Sequence, residues 1–250
     1  MKPDVIVVNP SSMDYPLWRH TVEQVRDQLG KIIVVHYPDH KGRVYTDFVI
    51  RAMKHLDVTH IHIGNEPGDW RNNAIRNALS KTGELVLFTE QDFIPKDPVA
   101  FFQHTIELFE GNRAGNLGLD VLGFSDGGEP AIGRRLHPAF LMARWDSIAK
   151  TAMDFSARPD IGLDHFGMFS NELILGNDQI RTLESVGLYP DIHWKHWAGV
   201  THNYNLVMAG QKPCYKLDEF KQYVEMAIAT PVLQQIGFVE LCEKCIAECG

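Results

Sequence analysis

Leu85-Val86-Leu87-Phe88-Thr89-Glu90-Gln91-Asp92 joins an unbroken apolar run to two acids, and its reading decides the fold. A strand that is apolar at every position must be covered on both faces, which is the condition of an inner strand in a parallel sheet flanked by helices. The residues upstream repeat that signal. Val5-Ile6-Val7-Val8, Ile32-Ile33-Val34-Val35 and Ile61-His62-Ile63 are short β-branched runs, separated by amphipathic stretches at Leu17 to Leu29, Tyr45 to Leu56 and Trp70 to Ser80. Four strands alternating with three crossover helices specify an α/β domain. Asp69 stands where an N-cap would serve a helix opening at Trp70, and Gly30 and Gly83 stand where left-handed C-terminal positions are expected.

The second half is less regular. Lys96-Asp97-Pro98 opens a helix that runs through Phe109, because a proline in the first turn forfeits no hydrogen bond. Leu119 to Phe124 and Pro138 to Ala143 read as strands, the second followed by a helix from Trp145 to Met153, and Ser125 to Pro130 is a glycine-rich loop. Arg158 to Leu188 reads as loop and then helices, Tyr189 to Trp194 as a short strand, and Leu217 to Cys249 as mostly helical with a break near Thr230-Pro231. No linker, repeat or charge block divides the chain, so one domain over 1–250 is the expectation.

Composition narrows the class. A hydrophobic content of 44% over 250 residues supports a large core and excludes a disordered tail. The net charge of −8 argues against a sequence-blind grip on nucleic acid phosphate. No run approaches the roughly 18 apolar residues that cross a bilayer, and Met1-Lys2-Pro3-Asp4 leads into too short an apolar run for a signal peptide. A cytoplasmic protein with reduced thiols is expected. Cys242, Cys245 and Cys249 fall on one helical stripe, where cysteine packs as a small hydrophobe, and are too spread for one zinc tetrahedron.

In open α/β sheets ligands sit beyond the carboxyl ends of the strands, which is where Glu90 and Asp92 fall. Alternate residues on an extended segment point the same way, so both acids can face a single cation or sugar ring. Oxygen ligands of this kind suit Mg²⁺ or Mn²⁺, which complete their shells with substrate phosphates. A solvated acidic turn is the other reading of the same three residues.

Ile75-Arg76-Asn77-Ala78-Leu79, then Gly83-Glu84-Leu85-Val86-Leu87-Phe88, then Glu90-Gln91-Asp92 follow one another in an order and spacing that resemble the family-2-like glycosyltransferases of the GT-A fold. That family carries Ala-Arg-Asn-x-Gly, a helix, a Gly-Glu-aromatic-apolar strand and Asp-x-Asp. The likeness covers residues 4–100 well and 119–202 more loosely. This chain departs from it with Glu90 as the first acid, Leu79 in place of the glycine, and His36-Tyr37-Pro38 ahead of Asp39 where an acidic pair often stands.

The resemblance implies a GT-A-like, Rossmann-like, mostly parallel sheet flanked by helices, with a mixed acceptor-side half. A nucleotide-sugar-binding half would span 1–110, an acceptor-side half 111–215 and C-terminal helices 216–250. It implies that Asp92 holds the divalent metal, Mn²⁺ or Mg²⁺, that bridges the nucleotide diphosphate, with Glu90 at the ribose or a metal-bound water and Gln91 in the same donor site. Arg76 matches the family pattern and is a candidate for phosphate, and equally a surface arginine. For the base and ribose, the loop Asn9-Pro10-Ser11 after the first strand and Asp39 after the second are candidates, since loops leaving adjacent parallel strands share one edge; Asn9-Pro10 is equally a simple turn.

On the acceptor side, Leu136 to Trp145 is similar to the apolar strand, basic residue and short helix of these enzymes. Asp164 occupies the slot of the family's catalytic carboxylate, and equally suits an N-cap; Glu172 is the second candidate. His196 matches the position of a third metal ligand seen in some related enzymes, with His202 close behind. Trp194, Trp197, Phe166 and Phe169 are stacking platforms for a sugar ring or core residues.

The activity implied is inverting, metal-dependent transfer of a sugar from a nucleotide-diphosphate donor, a UDP-sugar first, to a hydroxyl acceptor. The acceptor expected is a saccharide or glycolipid; a hydroxylated nucleic acid base is disfavoured by the negative charge. Two other readings are a sugar-phosphate nucleotidyltransferase, whose glycine- and lysine-rich first loop is missing from Asn9 to Asp14, and a non-catalytic nucleotide- or sugar-binding protein on the same scaffold.

Overall fold

A computed structural model describes residues 1–8, 15–36, 56–62, 70–111, 118–125, 136–156, 166–197, 211–212 and 214–229, with positions 203, 206 and 247. In chain order the elements are β1 (Asp4–Val7), α1 (Tyr15–Val25) with a 3₁₀ turn Arg26–Gln28, β2 (Ile32–His36), β3 (Val58–His62), α2 (Trp70–Leu79), β4 (Leu85–Thr89) and β5 (Phe93–Pro95). These are followed by α3 (Pro98–Glu110), β6 (Val121–Ser125), β7 (Leu136–Arg144), α4 (Trp145–Ile148), α5 (Gly167–Gly176), β8 (Ile180–Thr182), a 3₁₀ turn Glu184–Val186, β9 (Trp194–His196) and α6 (Leu217–Ala229). Among the described residues no helix is long and apolar enough to cross a membrane.

Seven strands form one sheet in the order β3-β2-β1-β4-β7-β6-β8, and β5 and β9 form a separate antiparallel pair. All neighbours in the large sheet are parallel except β7, which runs against both β4 and β6. The expected mostly parallel α/β sheet with a mixed second half is therefore the fold observed.

Every position of β1 and β4 is buried, Asp4 and Thr89 at their ends included, and the alternate apolar residues between feed two cores. Val5, Val7, Leu85 and Leu87 face the core that takes Trp18, Val22 and Val25 of α1 and Phe101, Phe102, Ile106 and Phe109 of α3. Ile6, Val86 and Phe88 face the other, with Ala74, Ile75 and Ala78 of α2 and Phe169 and Leu173 of α5. Phe88 sits amid Phe155, Phe166 and Phe169, with ring centroids 5.4–6.0 Å away. The helix α3 opens where its sequence predicts, with Pro98 in the first turn, and Asp97 caps it, its carboxylate accepting from the Ala100 amide at 3.0 Å.

Several expectations are corrected. Gly30 and Gly83 are not left-handed; the described glycines with positive φ are Gly111 and Gly187. At Gly30 the reason for glycine is instead the buried carboxylate of Asp4. It accepts from the Lys31 amide at 2.6 Å and the Gly83 amide at 2.7 Å, joining the starts of β2 and β4 across β1, and a Cβ on Gly30 would run into it. Asp4→Ala leaves both amides without this acceptor and is expected to lower stability by about 2–4 kcal/mol in urea unfolding, since each orphaned buried donor costs about 1–3 kcal/mol. An unchanged midpoint would show that water replaces the carboxylate.

The helix expected through Met153 stops at Ile148, because the Thr151 hydroxyl donates to the Ile148 carbonyl and accepts from the Met153 amide, turning Met153 to φ +52°. Strand β8 forms inside a stretch read as loop and helices, drawn onto the free edge of β6. The strand expected at Tyr189 to Trp194 forms instead at Trp194–His196, pairing with β5, which alternation did not reveal. β3 begins at Val58 rather than Ile61. The helix expected at Tyr45 to Leu56 before its last residue, the Asp69 cap, the loop after Ser125 and the cysteine stripe lie outside the described residues.

Candidate metal and donor site

The strand order reverses between β1 and β4, since β1 leads outward to β2 and β3 while β4 begins the other wing. Loops leaving two such strands diverge and open a crevice at their carboxyl ends. There the chain leaves β4 through Thr89, whose hydroxyl donates to the Ala139 carbonyl at 3.1 Å. The Glu90 amide donates to the same carbonyl at 3.3 Å, and the Val8 amide to the Thr89 carbonyl at 2.9 Å. Glu90-Gln91-Asp92 is thus held at both ends, with Gln91 fully buried and Asp92 followed immediately by β5.

β5 delivers the next partner. Phe93 pairs with His196 in register, and the Trp197 amide donates to the Asp92 carbonyl at 2.9 Å, so the end of β9 lies directly beside the acidic turn. Trp194 anchors β9 from within. It stacks on Phe93 with centroids 5.0 Å apart, meets Phe124 edge-on at 5.0 Å, and donates its indole N–H to the Leu188 carbonyl at 3.0 Å. Two residues further along the same strand face, His196 rests against Phe124 at 5.3 Å.

The result is a compact group. His196 Nε2 lies 3.5 Å from Asp92 Oδ1, His137 Nδ1 lies 3.9 Å from Glu90 Oε2, and the two imidazole centroids are 5.2 Å apart. One ligand atom from each of Glu90, His137 and His196 falls within 4.8 Å of the others. Asp92 is only 9% exposed, and its Oδ1 is buried without a hydrogen-bond partner. Burial of a carboxylate oxygen in that condition is unfavourable unless a cation or donor arrives to meet it. The donor set, carboxylate oxygens with imidazole nitrogens, fits Mn²⁺ and the other first-row divalent ions that accept both.

Of the residues singled out by sequence, Glu90, Gln91, Asp92 and His196 come together. Arg76 does not join them: its guanidinium donates to the Met153 and Ala152 carbonyls at 2.9 and 2.8 Å. Glu172 meets the same turn, accepting from the Ala152 amide at 2.6 Å. That turn follows α4, which begins where the Trp145 amide bonds the Glu84 carbonyl, at the amino end of β4 and so at the opposite end of the strand from Glu90. Both side chains are committed to holding this turn against α2 and α5. Phe166, Phe169, Trp194 and Trp197 are buried and act as core rather than as open sugar platforms. Asn9, Pro10, Ser11, Asp39, Asp164 and His202 lie outside the described residues.

Sequence reading missed His137 as a site residue. Its one signal is a polar residue followed by proline at the head of an otherwise apolar strand, and that pattern becomes informative only once β7 is known to run antiparallel beside β4.

Fold and site together describe an α/β protein with a mostly parallel seven-stranded sheet and a carboxylate and imidazole centre at the strand-order reversal. No family model matches the sequence, and no curated protein matches it. Among solved structures the chain is similar to the mannosyltransferase PcManGT from Pyrobaculum calidifontis in complex with GDP-Man and Mn²⁺, at 13% identity over 100% of this chain and 87% of that one, with a TM-score of 0.46. It is also similar to S. aureus TarS 1–349 (14%, 99% and 71%, TM-score 0.47) and to glucosyl-3-phosphoglycerate synthase from Mycobacterium tuberculosis in complex with phosphoglyceric acid (15%, 72% and 69%, TM-score 0.46).

Proposed function

We propose that this protein is a cytoplasmic glycosyltransferase that moves a sugar from a nucleotide-diphosphate donor to a hydroxyl acceptor, with a divalent cation held at Asp92 and His196. The observation that carries this reading is the buried Asp92 Oδ1, without a hydrogen bond and 3.5 Å from the His196 imidazole, at the carboxyl end of β4. When bound, Mn²⁺ or Mg²⁺ supplies positive charge that offsets the negative charge developing on the departing diphosphate. Asp92 and His196 orient that charge toward the crevice between β1 and β4, and Glu90 faces the donor ribose or a bound water.

The base and ribose fall to Asn9-Pro10-Ser11 and Asp39, as β1 and β2 end at the same edge, while Gln91, fully buried, supports the turn from within rather than lining the donor side. Asp164 takes the acceptor proton in an inverting displacement. Glu172 drops out of that role because its carboxylate is engaged at the Ala152 amide, and Arg76 drops out of phosphate binding for the reason given above. His202 stands as the alternative to His196. A UDP-sugar is the first donor to test, and a saccharide or glycolipid the first acceptor, ahead of a hydroxylated nucleic acid base.

Purified protein incubated with a panel of nucleotide sugars and Mn²⁺ is expected to release nucleoside diphosphate, and a chelator is expected to stop it. Release that persists in chelator would remove the metal from the reading; no release from any donor, with or without acceptors, would leave a binding protein. His196→Ala is expected to raise the Mn²⁺ concentration for half-maximal turnover by at least about 10–100-fold, the range seen when even outer groups of a metal site are lost. Equal metal dependence in that variant would transfer the ligand role to His202.

A further inference from the structure

β6 and β7 slip out of register between Gly123 and Phe124, where Pro138 has no amide to offer the ladder. The Ala139 amide within the slip donates to His137 Nδ1 at 3.1 Å. A ring nitrogen that accepts an N–H offers a lone pair, the same lone pair a metal would use. Its neighbour at 3.9 Å is the Glu90 carboxylate oxygen, also a ligand atom.

The same space receives His196, whose ligand atom falls within 4.8 Å of those of Glu90 and His137, while the buried Asp92 Oδ1 lies 3.5 Å from His196 Nε2 on its other side. We propose that Glu90, His137 and His196 form one transition-metal site beside Asp92, which takes its ion from solution before any nucleotide binds. The proposal rests on the metal reading of Asp92 and His196 given above and adds His137 and Glu90 to it. Two imidazoles in the set favour Mn²⁺, Co²⁺ or Zn²⁺ over Mg²⁺, which prefers oxygen and keeps its waters. A site completed by protein side chains does not need substrate phosphates to finish its shell, which is why the ion can precede the donor. Ligation at His137 Nδ1 displaces the Ala139 amide, so loading has a local structural signature.

The test uses the full chain and Mn²⁺ alone, following the loss of the free-ion electron paramagnetic resonance signal, with and without UDP or GDP. One ion per chain without nucleotide, retained against a large excess of Mg²⁺, is expected. His137→Asn, which can still accept the Ala139 amide, and Glu90→Gln are each expected to weaken that binding at least about tenfold. In wild-type protein titrated with diamagnetic Zn²⁺, the Ala139 amide is expected to exchange faster with solvent. Binding that needs a nucleotide, or that is unchanged in both variants, overturns this proposal and leaves the role of Asp92 standing. Failure to bind Mn²⁺ under either condition overturns both.

Discussion

Asp92→Asn is expected to lower metal-dependent kcat/KM for the donor by at least about 100-fold, equivalent to about 2.7 kcal/mol at about 1.36 kcal/mol per decade. The substitution keeps the shape of the side chain and removes the charge that would hold the cation. Folding should respond in the opposite sense. Oδ1 is buried without a hydrogen-bond partner, with only the His196 imidazole 3.5 Å away to offset its desolvation in metal-free protein. Replacing it with a neutral amide is expected to leave the metal-free melting temperature unchanged or to raise it.

Mn²⁺ distinguishes the two chains. An ion that binds only the folded state stabilises it by mass action, giving about 2.7 kcal/mol when present at about 100 times its Kd. Wild-type protein should therefore melt higher in Mn²⁺, and Asp92→Asn should not. A variant that keeps both the upward shift and the turnover would remove the cation from position 92 altogether.

Trp194→Ala is the second large effect, and it falls on stability and site at once. The indole is 2% exposed, stacked on Phe93, in edge contact with Phe124 and hydrogen-bonded to Leu188. Truncating a buried aromatic of this size costs about 3–5 kcal/mol, read as a lower urea midpoint at unchanged slope. Because Trp194 begins the strand that carries His196, the surviving folded protein should also bind Mn²⁺ more weakly.

Trp194→Phe separates the two consequences. It keeps a ring between Phe93 and Phe124 and loses the bond to Leu188, so a smaller stability loss of about 1–2 kcal/mol is expected with near-normal metal affinity. Should Trp194→Ala bind Mn²⁺ as tightly as wild type, β9 would not depend on this packing to present His196.

The acidic turn was legible because three local signals coincide in it. Leu85 to Phe88 is apolar without interruption, the turn follows at once, and the carboxyl end of a parallel strand is where such folds place ligands. His196 was legible only through resemblance, since nothing in Trp194-Lys195-His196 states that it will pair with Phe93-Ile94-Pro95. Arg76 and Glu172 illustrate the reverse. Their residue types and spacing suited phosphate binding and proton abstraction, yet the turn at Ala152 and Met153 recruits both as hydrogen-bond partners. Gly30 likewise stood in the expected place for a different reason: the Asp4 carboxylate occupies the space a Cβ would need.

By itself the sequence determined the alternation of strands and helices in the first half, the position of β4 within the sheet, and the acids at its end, because periodicity and apolar runs report local conformation and burial directly. Only the tertiary structure decided that β7 inserts antiparallel between β4 and β6, that β5 and β9 pair, and that His137 and His196 therefore meet Glu90 and Asp92. Those meetings depend on register between segments far apart in the chain, which is set by how two cores pack against one sheet, and no local pattern of residues encodes it.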